Sequence, residues 1–310
     1  MYASYDVVPS AQGNVTVQVV RGNKKVNVQL EEISACILTE LKSSAEGYFD
    51  GQVSFDNVVI TVPAYFSDSQ RKATLTSAYM AGFKAVRLLN EPTAAAMAYG
   101  LFLSGKKLVT VFDFGGGTLD VSLLSIEDGL FEVLGIGGDT NLGGDDIDNM
   151  LVDHLLEVLY KHHNVTRAQV GDGEMVRLMR EVLHSLSCDA SLKRLCDPIW
   201  KKCLRIVSSV LKEAEVKNAD IDEVILVGGS TQIPILRAMI LEAFDGKLTK
   251  VHVSSGALHC PSMLTEVVCE GAAIQAAILS GVDKRVFHDV LMMDVLPLSI
   301  GLETADGDMR

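Results

Sequence analysis

The chain has 310 residues, 48% of them hydrophobic, and its 27 Lys and Arg stand against 40 Asp and Glu for a formal net charge of −13. That length and apolar content predict about two domains or lobes with sizeable cores, and the acidic balance repels phosphate backbones, so no nucleic-acid partner is expected. No apolar run reaches the roughly 20 residues of a membrane helix and the opening MYASYDVVPSAQ lacks a charged-then-apolar export pattern, so a cytoplasmic protein without membrane contact is expected.

The six cysteines, Cys36, Cys188, Cys196, Cys203, Cys260 and Cys269, form no CxxC pair. A zinc site is therefore not expected, and buried reduced thiols in a reducing compartment are.

In chain order, VTVQVV and KVNVQL alternate apolar and polar residues on either side of Gly22-Asn23, which predicts a hairpin. EEISACILTELKSSAEGYF carries Ile33, Ile37, Leu38 and Leu41 at helical spacing. DNVVITVP reads as a strand covered on both faces and ended by Pro63. SDSQRKATLTSAYMAG reads as a helix capped at Ser67 or Asp68 and stopped at Gly82, KAVRLL as a strand, and NEPTAAAMAYGL as a helix with Pro92 in its first turn. Two strands follow, VFDF and LDVSLL, joined by Gly115, Gly116, Gly117 and Thr118, then GLFEVLGIGG as another strand. Residues 145–163 and 173–215 read as helices, the second interrupted near Cys188-Asp189 and Pro198. DEVILVGG predicts a strand, STQIPILRAMILEAF and TEVVCEGAAIQAAILSG helices, and VLMMDVLPLSIGLE an extended apolar end.

This alternation predicts α/β lobes with largely buried sheets. Twice a strand runs into glycines followed by a hydroxyl residue, in FDFGGGT and ILVGGST, at the carboxyl end of a strand where open α/β sheets bind ligands. The glycine triplet is either an ordinary hairpin turn or a nest of backbone amides for phosphate. Asp113 and Asp120 lie too near such a phosphate to bind it themselves, and make sense if a divalent cation or its waters stands between. Gly228-Gly229-Ser230 suits a sugar or base, and Gly143-Gly144 opens a helix whose N-terminus favours an anion.

The stretches VVITVPAYFSDSQRKAT, LLNEPTAAAMAYGL, VFDFGGGTLDVSLLSIEDGLFEV, GDTNLGGDDIDN, VILVGGSTQIP and GAAIQAAILSG together resemble the ATPase domain of the seventy-kilodalton heat-shock chaperones. The resemblance is collinear over most of residues 5–305. It implies an actin-like ATPase fold of two ribonuclease H-like lobes around a nucleotide cleft, and a part in protein folding and the stress response. It also implies ATP or ADP with Mg2+ as cofactors, and co-chaperones, nucleotide-exchange factors or another chaperone as partners. Carried over by position, Gly115, Gly116, Gly117 and Thr118 would form a phosphate loop. Asp113 would hold magnesium through water, and Glu91 would stand near the γ-phosphate as a second catalytic carboxylate. Pro63 would be the family's switch proline. Gly143 and Gly144 would flank the nucleotide, and Gly228, Gly229, Ser230 and Ile233 would line the adenosine pocket.

Some family features have no counterpart in this sequence. No Asp-Leu-Gly-Thr-Thr phosphate loop or following catalytic lysine occurs, MVRLMREVLHSLSC lacks the family's adenine-contacting set, Gln232 stands where arginine is usual, and Thr265 where aspartate is. The expected organisation is a first-lobe remnant over residues 1–112, a second lobe with a shortened upper part over 113–288, and an interdomain-linker-like segment over 289–310. No peptide-binding domain is expected. Such a chain is either an ATP-binding chaperone domain or a catalytically impaired, non-enzymatic, co-chaperone-binding regulator.

Overall fold

A computed structural model of the chain describes residues 6–10, 15–100, 105–164, 190–246, 266–281 and 290–294. The readings at Cys188, Cys260, Thr265, residues 173–189 of the helix expected over 173–215, and the segment after Asp294 lie outside the described residues.

Strands β1 (Asp6–Pro9), β2 (Val15–Arg21) and β3 (Lys24–Gln29) form an antiparallel sheet. The expected hairpin is its β2–β3 half, closed where Arg21 faces Lys24 and Gly22 takes a left-handed φ of 59°. Helix α1 (Leu30–Tyr48) follows directly.

A β-α-β unit comes next, with β4 (Asn57–Val62), α2 (Asp68–Met80) and β5 (Ala85–Asn90). Ser67 starts α2 by a reciprocal cap. Its Oγ accepts from the Gln70 amide at 3.3 Å, and the Gln70 Oε1 accepts from the Ser67 amide at 2.8 Å. The two strands are parallel and end together, Val62 beside Asn90. Pro63 and Glu91, the next residues of each, therefore leave the sheet at one place. Glu91 is the first residue of α3 (Glu91–Gly100).

The larger sheet has the order β10-β8-β7-β6-β9, from β6 (Lys107–Phe114), β7 (Leu119–Glu127), β8 (Leu130–Asp139), β9 (Glu223–Val227) and β10 (Leu291–Met293). The β6–β7–β8 meander is antiparallel, whereas β9 runs parallel to β6 and β10 parallel to β8. Strand alternation sorts the side chains. Phe112, Phe114, Leu119, Val121 and Leu123 share one buried cluster with residues of α4 (Gly144–His163), α5 (Ala190–Leu195), α6 (Asp197–Glu213) and α7 (Pro234–Ala243). Val109, Val111, Leu124 and Ile126 share the other with α3 and α8 (Val267–Leu279). Residues 113, 120 and 122 belong by alternation to this second face, which α3 covers.

One helix start differs from the sequence reading, and proline explains it. The run STQIPILRAMILEAF is not one helix. Residues Gly229–Gln232 make a 3-10 turn, and α7 begins at Pro234. Proline has no N–H and forces the preceding Ile233 out of helical geometry, to φ −62°, ψ 115°. The break between α5 and α6 falls at Cys196, and Pro198 lies in the first turn of α6.

Candidate functional site

The Gly115–Thr118 loop is a hairpin turn. Asp113 faces Asp120 across β6 and β7, and the Gly115 amide donates to the Thr118 carbonyl at 3.0 Å. A turn alone does not account for three glycines, because none of them has a left-handed φ. A Cβ added at Gly115 or Gly116 would meet nothing closer than 3.8 Å, and at Gly117 nothing within 4 Å. Neither backbone conformation nor packing within the protein calls for glycine here, so the open surface favours an outside group lying against the main chain.

The other glycines do the opposite job. A Cβ at Gly143 would lie 2.2 Å from the Gly116 carbonyl oxygen, and one at Gly228 would lie 2.4 Å from the Phe114 oxygen, with φ there at 87°. A Cβ at Gly144 would lie 2.3 Å from the Ser230 Oγ. These three support the loop from behind by close backbone approach. Gly229 is open, with nothing within 4 Å. Ile233 is buried in the main core, 8% exposed.

The same contacts fix which way the loop faces. The Gly115 carbonyl accepts from the Gly144 amide at 3.0 Å and from the Ser230 Oγ at 2.9 Å, and the Gly116 carbonyl accepts from the Asp145 amide at 2.8 Å. The α4 N-terminus is thus not an open anion site, contrary to the sequence reading. Its first amides are engaged by the loop, and the Gly143 amide by Asp146 Oδ2 at 2.8 Å. The carbonyls are held from one side while, among the described residues, the Gly116 and Gly117 amides donate to nothing. FDFGGGT, NLGGDD and VGGST, far apart in sequence, are therefore one structure.

Three carboxylates stand beside it. Asp120 is 3% exposed. One of its oxygens, Oδ1, has no hydrogen-bond partner among the described residues, while the carboxylate also takes the backbone N–H groups of Ala64 and Tyr65. Burial pushes its pKa up to about 6 against those two donors. Burial, reinforced by Asp120, raises Asp113 to about 7. Burial, reinforced by Asp113 and Asp120, raises Glu91 to about 7. Among the described residues no cationic side chain acts on any of the three. Among the described residues these carboxylates do not form a cluster that could hold a metal ion directly; beside free amides, with one bare buried oxygen, they suit a polyanion whose divalent cation would meet them through its waters.

Arg71 holds the neighbouring segment. Its Nη2 donates to the Ala64 carbonyl at 3.0 Å and to Asn90 Oδ1 at 2.9 Å, and its Nε to the Phe66 carbonyl at 3.2 Å. Asn90 Nδ2 in turn donates to Asp294 Oδ2 at 2.7 Å, and Thr93 Oγ1 to the same oxygen at 3.3 Å. Sequence reasoning singled out Pro63 and Glu91 but missed Arg71, Asn90 and Asp294. The only signal was adjacency, since Asn90 precedes Glu91 at the end of a strand.

The Hsp70 protein family profile matches residues 1–184 and 174–310. The heat shock 70 kDa protein of Neurospora crassa is 39% identical over 327 residues, covering 96% of this chain and 48% of that protein. The heat shock cognate 70 kDa protein 3 of Dictyostelium discoideum is 39% identical over 309 residues, covering 90% of this chain and 47% of that protein. The heat shock 70 kDa protein BIP3 of Oryza sativa subsp. japonica is 39% identical over 318 residues, with 94% and 46% covered. The chain thus spans about half the length of the curated relatives it matches. With nearly its whole length matched, and with the glycine turns of that match assembled into one loop structure, the chain belongs to the Hsp70 family.

Proposed function

We propose that the chain is a chaperone nucleotide-binding domain that takes ATP or ADP with Mg2+ at the Gly115–Thr118 loop. The observation that carries this reading is a glycine triplet that nothing among the described residues requires, with two amides free among those residues beside a bare buried carboxylate oxygen. In it, the Gly116 and Gly117 amides and the Thr118 hydroxyl bind phosphate oxygens. Glu91, Asp113 and Asp120 orient the water shell of the cation. Gly229 and Ser230 lie toward the sugar and base. Bound magnesium neutralises phosphate charge, and the protein's own share is to position the anion and fix those waters.

The proposed organisation has first-lobe elements over residues 1–112, a second lobe over 113–288 and a linker-like segment from 289. Co-chaperones and nucleotide-exchange factors are the proposed partners, in a reducing, cytoplasmic compartment. Thermal denaturation tests the nucleotide reading. A ligand at 100 times its Kd stabilises the folded state by about 2.7 kcal/mol, so ATP with Mg2+ raises the melting temperature more than either alone. No shift at millimolar ATP overturns the reading.

One observation favours a second reading, a regulator that binds nucleotide but turns it over slowly. Phosphoryl transfer needs positive charge from several sides, yet Arg71, which bonds Asn90 next to Glu91, is committed to Ala64, Phe66 and Asn90. Single-turnover hydrolysis, compared with binding on the same sample, separates the two.

A further inference from the structure

Away from the glycine loops, an open groove of about 500 Å³ lies between α1 and α2. Leu30, Ile37 and Leu38 line one wall, Ala73 and Ser77 the other, and Ile60 of β4 also lines it. The α1 wall is the start of a longer stripe. Leu30, Ser34, Ile37, Leu41, Ser44 and Tyr48 follow one another at heptad spacing. Its large members are exposed: Leu30 by 45%, Ile37 by 58%, Leu41 by 61% and Tyr48 by 84%. The opposite side of the same helix carries Ala35, 6% exposed, so the helix already has a core-facing side and the stripe is additional to it. Ala73 and Ser77 are small, and small side chains let a third helix approach closely.

The charges along the stripe choose the occupant. The six flanking positions are Glu31, Ile33, Leu38, Glu40, Ala45 and Gly47, two acids and no base. Among the described residues neither glutamate forms an ion pair. Helices that pack by heptads choose partners through these flanks. A second copy of the chain would bring its own Glu31 and Glu40 to the seam and be repelled. A helix with Lys or Arg at its flanking positions would be attracted.

We infer that the α1–α2 groove is a docking site for a basic amphipathic helix of a protein partner, laid along the Leu30–Tyr48 stripe. The site is separate from the nucleotide reading and does not depend on it.

The probe is a synthetic helical peptide of about three heptads with Leu at the two seam positions and Lys at the flanks, followed by fluorescence anisotropy against the whole chain. Its twin carries Glu at the flanks, and a third peptide is an extended Val-rich strand. The Lys peptide binds saturably, the Glu twin at least about tenfold more weakly, and Ile37→Asp weakens the Lys peptide by a similar factor. The pair Glu31→Gln and Glu40→Gln flattens the loss of affinity between about 50 and about 300 mM salt. Ile37 is more than half exposed, so its variant keeps the parent melting temperature. Should it unfold, Leu41→Asp takes its place. Three results overturn the inference: equal binding of the two helical peptides, competition by the Val-rich strand instead of the Glu twin, or light scattering that shows a dimer broken by Ile37→Asp.

Discussion

The Ser230 hydroxyl donates to the Gly115 carbonyl at 2.9 Å, joining two glycine turns that are 115 residues apart in the chain. The same carbonyl takes the Gly144 amide, so three segments meet on one oxygen. Replacing Ser230 with Ala removes one of two donors to a part-buried acceptor and costs about 1 kcal/mol of stability. Because the turn also orients the free amides, nucleotide affinity falls several-fold. Urea denaturation and a nucleotide titration on the variant check both halves.

Gly143 and Gly117 are both loop glycines in sequence but differ in what surrounds them. Gly143→Ala forces a methyl group to 2.2 Å from a backbone oxygen, and only a backbone shift relieves it. It destabilises the fold by about 2 kcal/mol or more. Gly117→Ala enters open space and leaves stability within about 0.5 kcal/mol of the parent. It lowers nucleotide affinity nonetheless, by crowding the surface the phosphate needs. Denaturation midpoints and binding constants measured on the two variants move in opposite proportion.

The same steric logic marks the helix crossing behind the site. A Cβ at Gly271 of α8 would lie 1.8 Å from the Ala94 carbonyl oxygen of α3, and Ala94, Ala95 and Ala96 are fully buried. Gly271→Ala pushes α3 away from the sheet and with it Glu91. A loss of about 3 kcal/mol is expected from overpacking, read as a drop in denaturation midpoint, together with weaker response to magnesium.

The carboxylates make stability depend on pH in a stated direction. Unfolded Asp and Glu titrate near 4, whereas in the fold Asp120 is raised to about 6 and Asp113 and Glu91 to about 7. Between those values the folded state holds more protons than the unfolded, so stability from these groups is full below about pH 4 and is lost as pH rises to about 7. Without divalent cation, the melting temperature should carry this downward contribution between pH 5 and 7, and Asp113→Asn should flatten it. Millimolar Mg2+ at pH 7.5 restores part of the loss. A parent and variant with the same slope would contradict it.

Elements with a strong local pattern were legible from sequence. Alternation gave the β2–β3 hairpin, and the capping residue types at Ser67 and Asp68 gave the start of α2. The glycine runs marked the candidate site, but not which glycines are open and which pack on backbone, since that depends on contacts between segments far apart in the chain. The sequence paired Asp120 with Asp113 but did not show that it is buried, which follows because α3 covers the face the two share. The start of α7 was misplaced because the run was read as one helix through Pro234, which forces Ile233 out of helical geometry. Asn90 and Asp294 are 204 residues apart, and no local signal links them.

Calorimetric titration of ATP with Mg2+ into the parent chain and into Gly116→Ala tests the central claim most directly. A Cβ at Gly116 would meet nothing closer than 3.8 Å, so the variant folds as the parent does. The account predicts one-site saturable binding to the parent and at least about tenfold weaker binding to the variant, about 1.4 kcal/mol, at an unchanged melting temperature. No heat from the parent at millimolar nucleotide, or equal affinity in the two proteins, would contradict it.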